Sequence, residues 1–214
     1  MAARVVSFLC EKGGAGKSTG ATNFASYLSR QGKRVLIVDH DPQASASIWS
    51  GFTHDNDGPG EIAVIVMKQL QRDLRSISHA FDYVLIDGQP ITDKVTADAI
   101  KVSELVIIPV RPSGFDVWSG INTAALVRER QELTDGSPKA RILVSQAIVG
   151  TVIARDIAES LESYKLPIMT ERTHIRVAYT EAASVGKSAM DLPKNHEARV
   201  EMEKIAREIL EILG

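Results

Sequence analysis

Arg4-Val5-Val6-Ser7-Phe8-Leu9-Cys10 runs directly into Glu11-Lys12-Gly13-Gly14-Ala15-Gly16-Lys17-Ser18-Thr19. A short β-branched and apolar run, a glycine cluster and then helical spacing read as strand, loop and helix. Ala21, Phe24, Ala25 and Leu28 recur at three-to-four spacing within Thr19–Gln31, and Gly32 supplies a helix stop before a second apolar run, Arg34–Asp39 (RVLIVD). The three together make a βαβ unit. Glycines let backbone N–H groups converge at the positive end of a helix, which is what cradling a polyphosphate requires. Lys17 would neutralise the outer phosphates and the Ser18 hydroxyl would ligate magnesium. The usual phosphate loop begins with a glycine separated by four residues from its G-K-[ST], where this chain has Glu11. A dinucleotide fingerprint fits less well: Gly14 and Gly16 match its first two glycines, but Thr19 stands at the third and the motif has no use for Lys17-Ser18. A ligand-free glycine turn would gather three glycines and two lysines after a buried strand without purpose.

Further along, Phe52–Gly60 (FTHDNDGPG) is dense in turn residues, and a helix is predicted from about Ile62 to Ile77. Tyr83–Asp87 (YVLID), Leu105–Val110 (LVIIPV) and the run around Ile142–Val144 read as strands, separated by helical patterns at Val95–Val102 and Trp118–Leu133. Arg155–Tyr164 and Glu197–Leu213 add two helices, the second with Val200, Ile205, Ile209 and Ile212 on one stripe. Continuous rather than alternating apolar strands, interleaved with helices, predict an α/β fold: a doubly wound, mostly parallel sheet covered on both faces. No repeat or linker interrupts the pattern, so residues 1–214 read as a single domain.

Composition narrows the classes. A 44% hydrophobic and 24% charged chain of 214 residues is that of a folding globular protein. With a net charge of -2, any nucleic-acid contact must come from a local patch. Aromatics at 5% are too sparse for a row of base-stacking platforms. Cys10 is the one cysteine, which excludes intrachain disulfides and fits a reducing cytoplasm. No eighteen-residue apolar run or signal peptide is present.

Asp39-His40-Asp41-Pro42-Gln43 ends the second strand and places two carboxylates at the carboxyl edge of the sheet, where ligands bind in open α/β folds. Read alone, the pair is a helix cap beside a proline turn, a common arrangement; the phosphate loop beside it favours the functional reading. Asp87 ends YVLID in the position of a magnesium-holding carboxylate, followed by Gly88-Gln89-Pro90; its bland alternative is a strand-end cap.

The run K-G-G-x-G-K-[ST] beginning at Lys12 resembles the deviant Walker A motif of the superfamily of partition ATPases, MinD and nitrogenase iron proteins. The resemblance implies ATP bound along Lys12–Thr19, with Mg2+ held by Ser18, Asp39 and Asp87. It gives Lys12 and Lys17 catalytic roles, Lys12 reaching across an ATP-bridged homodimer to the partner's phosphates. Asp39-His40-Asp41-Pro42-Gln43 looks like the family's D-x-D-P-Q, in which the second aspartate, here Asp41, positions the attacking water and Asp39 supports magnesium and the loop lysine. Gly88-Gln89-Pro90 departs mildly from the family's switch loop.

Within the superfamily, Leu105–Asp116 (LVIIPVRPSGFD) and Ile175–Asp191 resemble the partition branch, whose C-terminal signature is matched at Arg176, Glu181, Ala182, Gly186 and Lys187 and continues into a short strand. A phosphate loop starting at residue 12 leaves no room for an N-terminal helix-turn-helix, so the resemblance implies sequence-independent binding of nucleoid DNA by the ATP dimer. Arg155, Arg172, Arg176, Lys187, Lys194 and Arg199 are the candidate contacts, set among acids that could equally make this a mixed solvated surface. A centromere-binding or cargo adaptor would stimulate hydrolysis, and the protein would sit in the cytoplasm on the nucleoid. A membrane role of the MinD type is disfavoured, since Glu201–Gly214 carries four glutamates against two basic residues. A bridging iron–sulfur cluster needs two cysteines per subunit, and only Cys10 is present. The alternative class is an ATP-dependent biosynthetic enzyme of the dethiobiotin synthetase or cobyrinate amidase type.

Overall fold

The computed structural model describes residues 3–41, 43–52, 61–67, 70–90, 94–113, 117–149 and 155–214. In chain order the elements are β1 (Arg4–Phe8), α1 (Lys17–Arg30), β2 (Val35–Asp39), α2 (Ser45–Phe52), β3 (Ile62–Val66), α3 (Leu70–Ile77), β4 (Tyr83–Asp87) and α4 (Lys94–Val102). They continue with β5 (Leu105–Val110), α5 (Ile121–Leu133), β6 (Lys139–Val144), α6 (Arg155–Glu162), α7 (Val177–Ser184) and α8 (Glu197–Leu213). The six strands form one sheet in the order β3-β2-β4-β1-β5-β6, every neighbouring pair parallel.

Successive side chains of a strand point to opposite faces, and both faces here are apolar. Leu36, Val38, Val84, Ile86, Val106 and Ile108 face one core, shared with Leu70 and Leu74 of α3, Ile100 of α4 and Val127 of α5. Val35, Ile37, Leu85, Leu105 and Ile107 face the other, against Phe24 and Leu28 of α1 and Ile205 and Ile209 of α8. That explains the continuous apolar strands. No helix among the described residues is long and apolar enough to cross a membrane.

Two elements correct the sequence reading. The helix expected from about Ile62 begins only at Leu70; Ile62–Val66 is instead an edge strand paired in register with Val35–Asp39. Its β-branched residues favour the pleated surface once β2 offers a ladder. The short strand expected after Gly186-Lys187 is a single 3-10 turn, Ala189–Asp191, capped by Ser188 and Asp191. Helix α7 lies in a stretch read only as a motif, and α2 in one for which no element is predicted, its last residue, Phe52, being the first of the turn-rich segment. The turn-rich segment Phe52–Gly60 falls, from residue 53 onward, outside the described residues.

Helix α8 is held at its end. Arg4 donates to the carbonyls of Leu213 at 2.8 Å and Gly214 at 2.9 Å, and Lys139 Nζ donates to that of Ile212 at 2.6 Å. Cations on a helix's last carbonyls satisfy acceptors that have no intrahelical partner and complement the dipole.

Gly20 brings α1 onto β1. A Cβ at this position would lie 2.7 Å from the Phe8 ring, which is fully buried. Alanine would gain about 1 kcal/mol of helix propensity, but forcing a core ring aside typically loses more. Gly20→Ala is therefore expected to destabilise the fold by about 1–2 kcal/mol, read from urea unfolding. An unmoved or raised midpoint would contradict the close approach.

Candidate functional site

The loop between β1 and α1 is shaped by two left-handed glycines, Gly14 at φ 71° and Gly16 at φ 105°. Gly16 caps α1, and among the described residues no side chain caps its first turn, so the orphan N–H groups there remain to take an anion. Side chains just past the end of β6 fix two of the loop's carbonyls: Ser145 Oγ donates to Ala15 O at 2.6 Å, and Gln146 Nε2 to Gly14 O at 2.7 Å. Lys17 is 4% exposed, and its Nζ donates to Lys12 O at 3.0 Å, across the loop. Glu11, at the anomalous position, accepts two contacts from Asn122 Nδ2, at 2.9 and 3.1 Å, so it braces the loop against α5.

The carboxylates meet at the ends of β2 and β4, whose register sets Asp39 opposite Asp87. Asp39 is buried and committed to the start of α2: Oδ1 accepts from Asp41 N at 3.1 Å, and Oδ2 from Ser47 N and Ser47 Oγ, both at 2.8 Å. Asp41 is partly exposed, lines the cleft and accepts from Gln43 N at 2.8 Å; Pro42 between them lies outside the described residues. Asp87 is fully buried, with no hydrogen-bond partner on either carboxylate oxygen among the described residues. Burial pushes its carboxyl up to about 7; the Ser18 hydroxyl and Lys17 pull it down, while Asp39 and Asp41 push it up.

A buried carboxylate with two orphaned oxygens is costly unless something supplies positive charge. Magnesium fits. Among the described residues no group of three or more histidine, cysteine, aspartate or glutamate side chains forms a complete metal centre, and magnesium does not need one, since it takes one or two protein oxygens and completes its shell from phosphates and water. Asp87 and the Ser18 hydroxyl would hold it, with Asp39 behind them.

A cleft of about 500 Å3 runs from Gly13, Lys17, Ser18 and Asp41 to a far wall that includes His174, Arg176 and Tyr179. That wall converges on Glu201 of α8. Glu201 Oε1 meets His174 Nδ1 at 2.8 Å and Arg176 Nη2 at 2.6 Å, and Oε2 accepts from Tyr179 OH at 3.0 Å and His174 N at 3.2 Å. Burial alone would raise the Glu201 carboxyl, but these hydrogen bonds hold it below the usual range.

The basic candidates separate into two groups. Arg176 is bound to Glu201 and Glu197, and Arg199 to Glu203 at 2.8 Å and to Leu192 O at 2.9 Å. Lys187 and Lys194 are exposed and Arg172 is partly so; among the described residues their side chains make no hydrogen bond or ion pair. The Arg155 side chain lies outside the described residues. Sequence reading missed Ser145, Gln146, the Glu201 knot and Arg111, which follows the apolar run of β5 at the same sheet edge. The available signal was a polar residue immediately after a buried parallel strand, the position that also singled out Asp39 and Asp87.

Comparison with known proteins gives a consistent set. A family model described as an AAA domain matches residues 3–69 and 59–133. The maintenance of carboxysome distribution protein A of Halothiobacillus neapolitanus is 26% identical over 203 residues, covering 93% of each chain. The chromosome-partitioning ATPase Soj of Thermus thermophilus is 29% identical over 222 residues, covering 86% of each. Among solved structures, apo McdA from Cyanothece superposes with a TM-score of 0.79 over 99% of both chains at 20% identity, a likeness of fold.

Proposed function

Because the chain belongs to the ParA-type AAA domain family, an ATPase family, we propose that it is a positioning switch driven by MgATP. ATP closes two copies into a dimer, the dimer binds nucleoid DNA without sequence preference, and slow hydrolysis releases it. Residues 1–214 act as one ATPase domain. A centromere- or cargo-bound adaptor stimulates hydrolysis and so sets where on the nucleoid the dimer persists, in the cytoplasm and away from the membrane. The names of the two relatives indicate the kinds of cargo such switches distribute, a carboxysome and a chromosome.

The observation that carries this reading is Asp87, buried with both oxygens unsatisfied among the described residues beside Lys17 and Ser18, at a loop that carries Lys12 in addition. Magnesium, when bound there, draws charge from the phosphate oxygens. The chain's own residues do the rest: the loop N–H groups and Lys17 bind the phosphates, and Asp41 orients the attacking water from the cleft wall. Lys12 is the residue assigned to the partner's phosphates, where a cation placed from outside stabilises the charge that develops on transfer.

For DNA, Arg172, Lys187 and Lys194 are the first candidates, since among the described residues no carboxylate pairs with them. Arg176 and Arg199 join them only to the extent that their glutamates release them.

The test is dimerisation followed by DNA binding. With Mg2+ and ATP, light scattering should give a dimer for the wild type and a monomer for Lys12→Gln, which still binds nucleotide. The wild-type dimer should bind unrelated DNA sequences equally, with affinity falling by a double-logarithmic slope of about -0.9 per phosphate contacted. Arg172→Glu combined with Lys187→Glu should abolish that binding and spare basal ATPase activity. A wild type that stays monomeric with ATP, or binds only one DNA sequence, would contradict the proposal.

A further inference from the structure

The sheet order gives the phosphate loop two chemically opposite sides. β1, which feeds the loop, lies between β4 and β5. On the β4 side stand the carboxylates Asp87 and, one strand further, Asp39 and Asp41. On the β5 side stands Arg111, the residue that follows Val110. Its Nη2 lies 3.7 Å from where a Cβ on Gly14 would be, its Nε is buried, and it lines the same cleft as Lys17 and Ser18. Gln146, from the neighbouring strand, holds Gly14 O at 2.7 Å, so the backbone beside the guanidinium is fixed rather than free to swing.

We infer that Arg111 is a further phosphate-binding residue, which grips the nucleotide's polyphosphate from the β5 side while the metal is held from the β4 side. The inference rests on the reading of the cleft as a nucleotide site. Lys17 and Arg111 bring two cationic side chains to the cleft that the glycine loop lines, so a polyphosphate lying there can engage both. Arginine suits the position better than a second lysine would. Its planar fork can donate two parallel bonds to oxygens of one phosphate or of adjacent ones, whereas an ammonium acts as a point charge. The guanidinium would only just touch a Cβ at Gly14, in ordinary contact; what requires glycine there is the left-handed backbone of the loop.

The experiment is a competition assay on the whole chain, in which a fluorescent ATP analogue is displaced by inorganic triphosphate, by ATP and by adenosine. Arg111→Gln is expected to weaken both triphosphate and ATP at least tenfold and to leave adenosine unchanged. Arg111→Lys should recover part of the loss, because the charge returns without the fork. A general loosening of the fold would weaken adenosine as well, and would overturn the assignment. So would Arg111→Gln binding triphosphate as the wild type does while Lys17→Ala does not. If the wild type itself failed to bind ATP or triphosphate, the nucleotide reading would fall, and this inference with it.

Discussion

Asp41→Ala is expected to bind MgATP within about twofold of the wild type and to lose at least ~100-fold in turnover, the usual effect of removing a group that orients or deprotonates a nucleophile. The dimer formed with ATP should then persist, visible as a long-lived species in light scattering after excess nucleotide is removed. The geometry favours this variant over Asp39→Ala. Asp41 accepts one local bond, from Gln43 N, so its removal disturbs little beyond the cleft. Asp39 accepts from Asp41 N, Ser47 N and Ser47 Oγ, and its loss would also unseat the start of α2. Wild-type turnover in Asp41→Ala would move the water-positioning role elsewhere.

Asp87→Asn is expected to make the nucleotide-free protein more stable and catalytically dead. The Asp87 carboxyl titrates near 7 in the folded chain against an ordinary value of 3.8. Between those values the folded chain keeps a proton that the unfolded chain has released, so stability falls as pH rises through the window. Asparagine keeps the shape and removes the buried charge. At pH 7.5 the gain should be roughly 2–4 kcal/mol, at about 1.4 kcal/mol per pKa unit; at pH 4 it should nearly vanish. Urea unfolding without nucleotide at the two pH values measures it, and equal gains at both would refute the cause. Magnesium-dependent turnover should fall by ~100-fold or more, because the metal loses its buried anion.

The two variants also mark what sequence alone could read. Strands β2, β4 and β5 were legible because burial on both faces leaves a near-continuous apolar run, and β1 because only Ser7 interrupts such a run between Val5 and Cys10. Ile62–Val66 (IAVIV) carries the same unbroken run but stands just before the helical spacing that ends at Ile77, so it reads as the start of that helix until β2 is seen to pair with it in register. Asp39, Asp41 and Asp87 were legible as residues that end such runs. Their division of labour was not: it depends on which carboxylate oxygens the fold has already engaged, and Ser47 is eight residues from Asp39. The same holds for the basic patch. Arg176 and Lys187 look alike as letters, but Glu201, a helix away, makes one of them a strut and leaves the other in water.

Helix α8 is a rod of 17 residues, some 25 Å long at 1.5 Å per residue, and neither tip is left to fray. Arg4 and Lys139 pin its last carbonyls to the amino edge of the sheet, and the Glu201 knot ties its early turns to the wall of the cleft at the carboxyl edge. A rod anchored in this way has no slack to take up by unwinding. If the cleft wall shifts by an ångström, α8 must tilt or slide as a whole, and the displacement reaches the opposite edge of the molecule as leverage rather than dying out along the way.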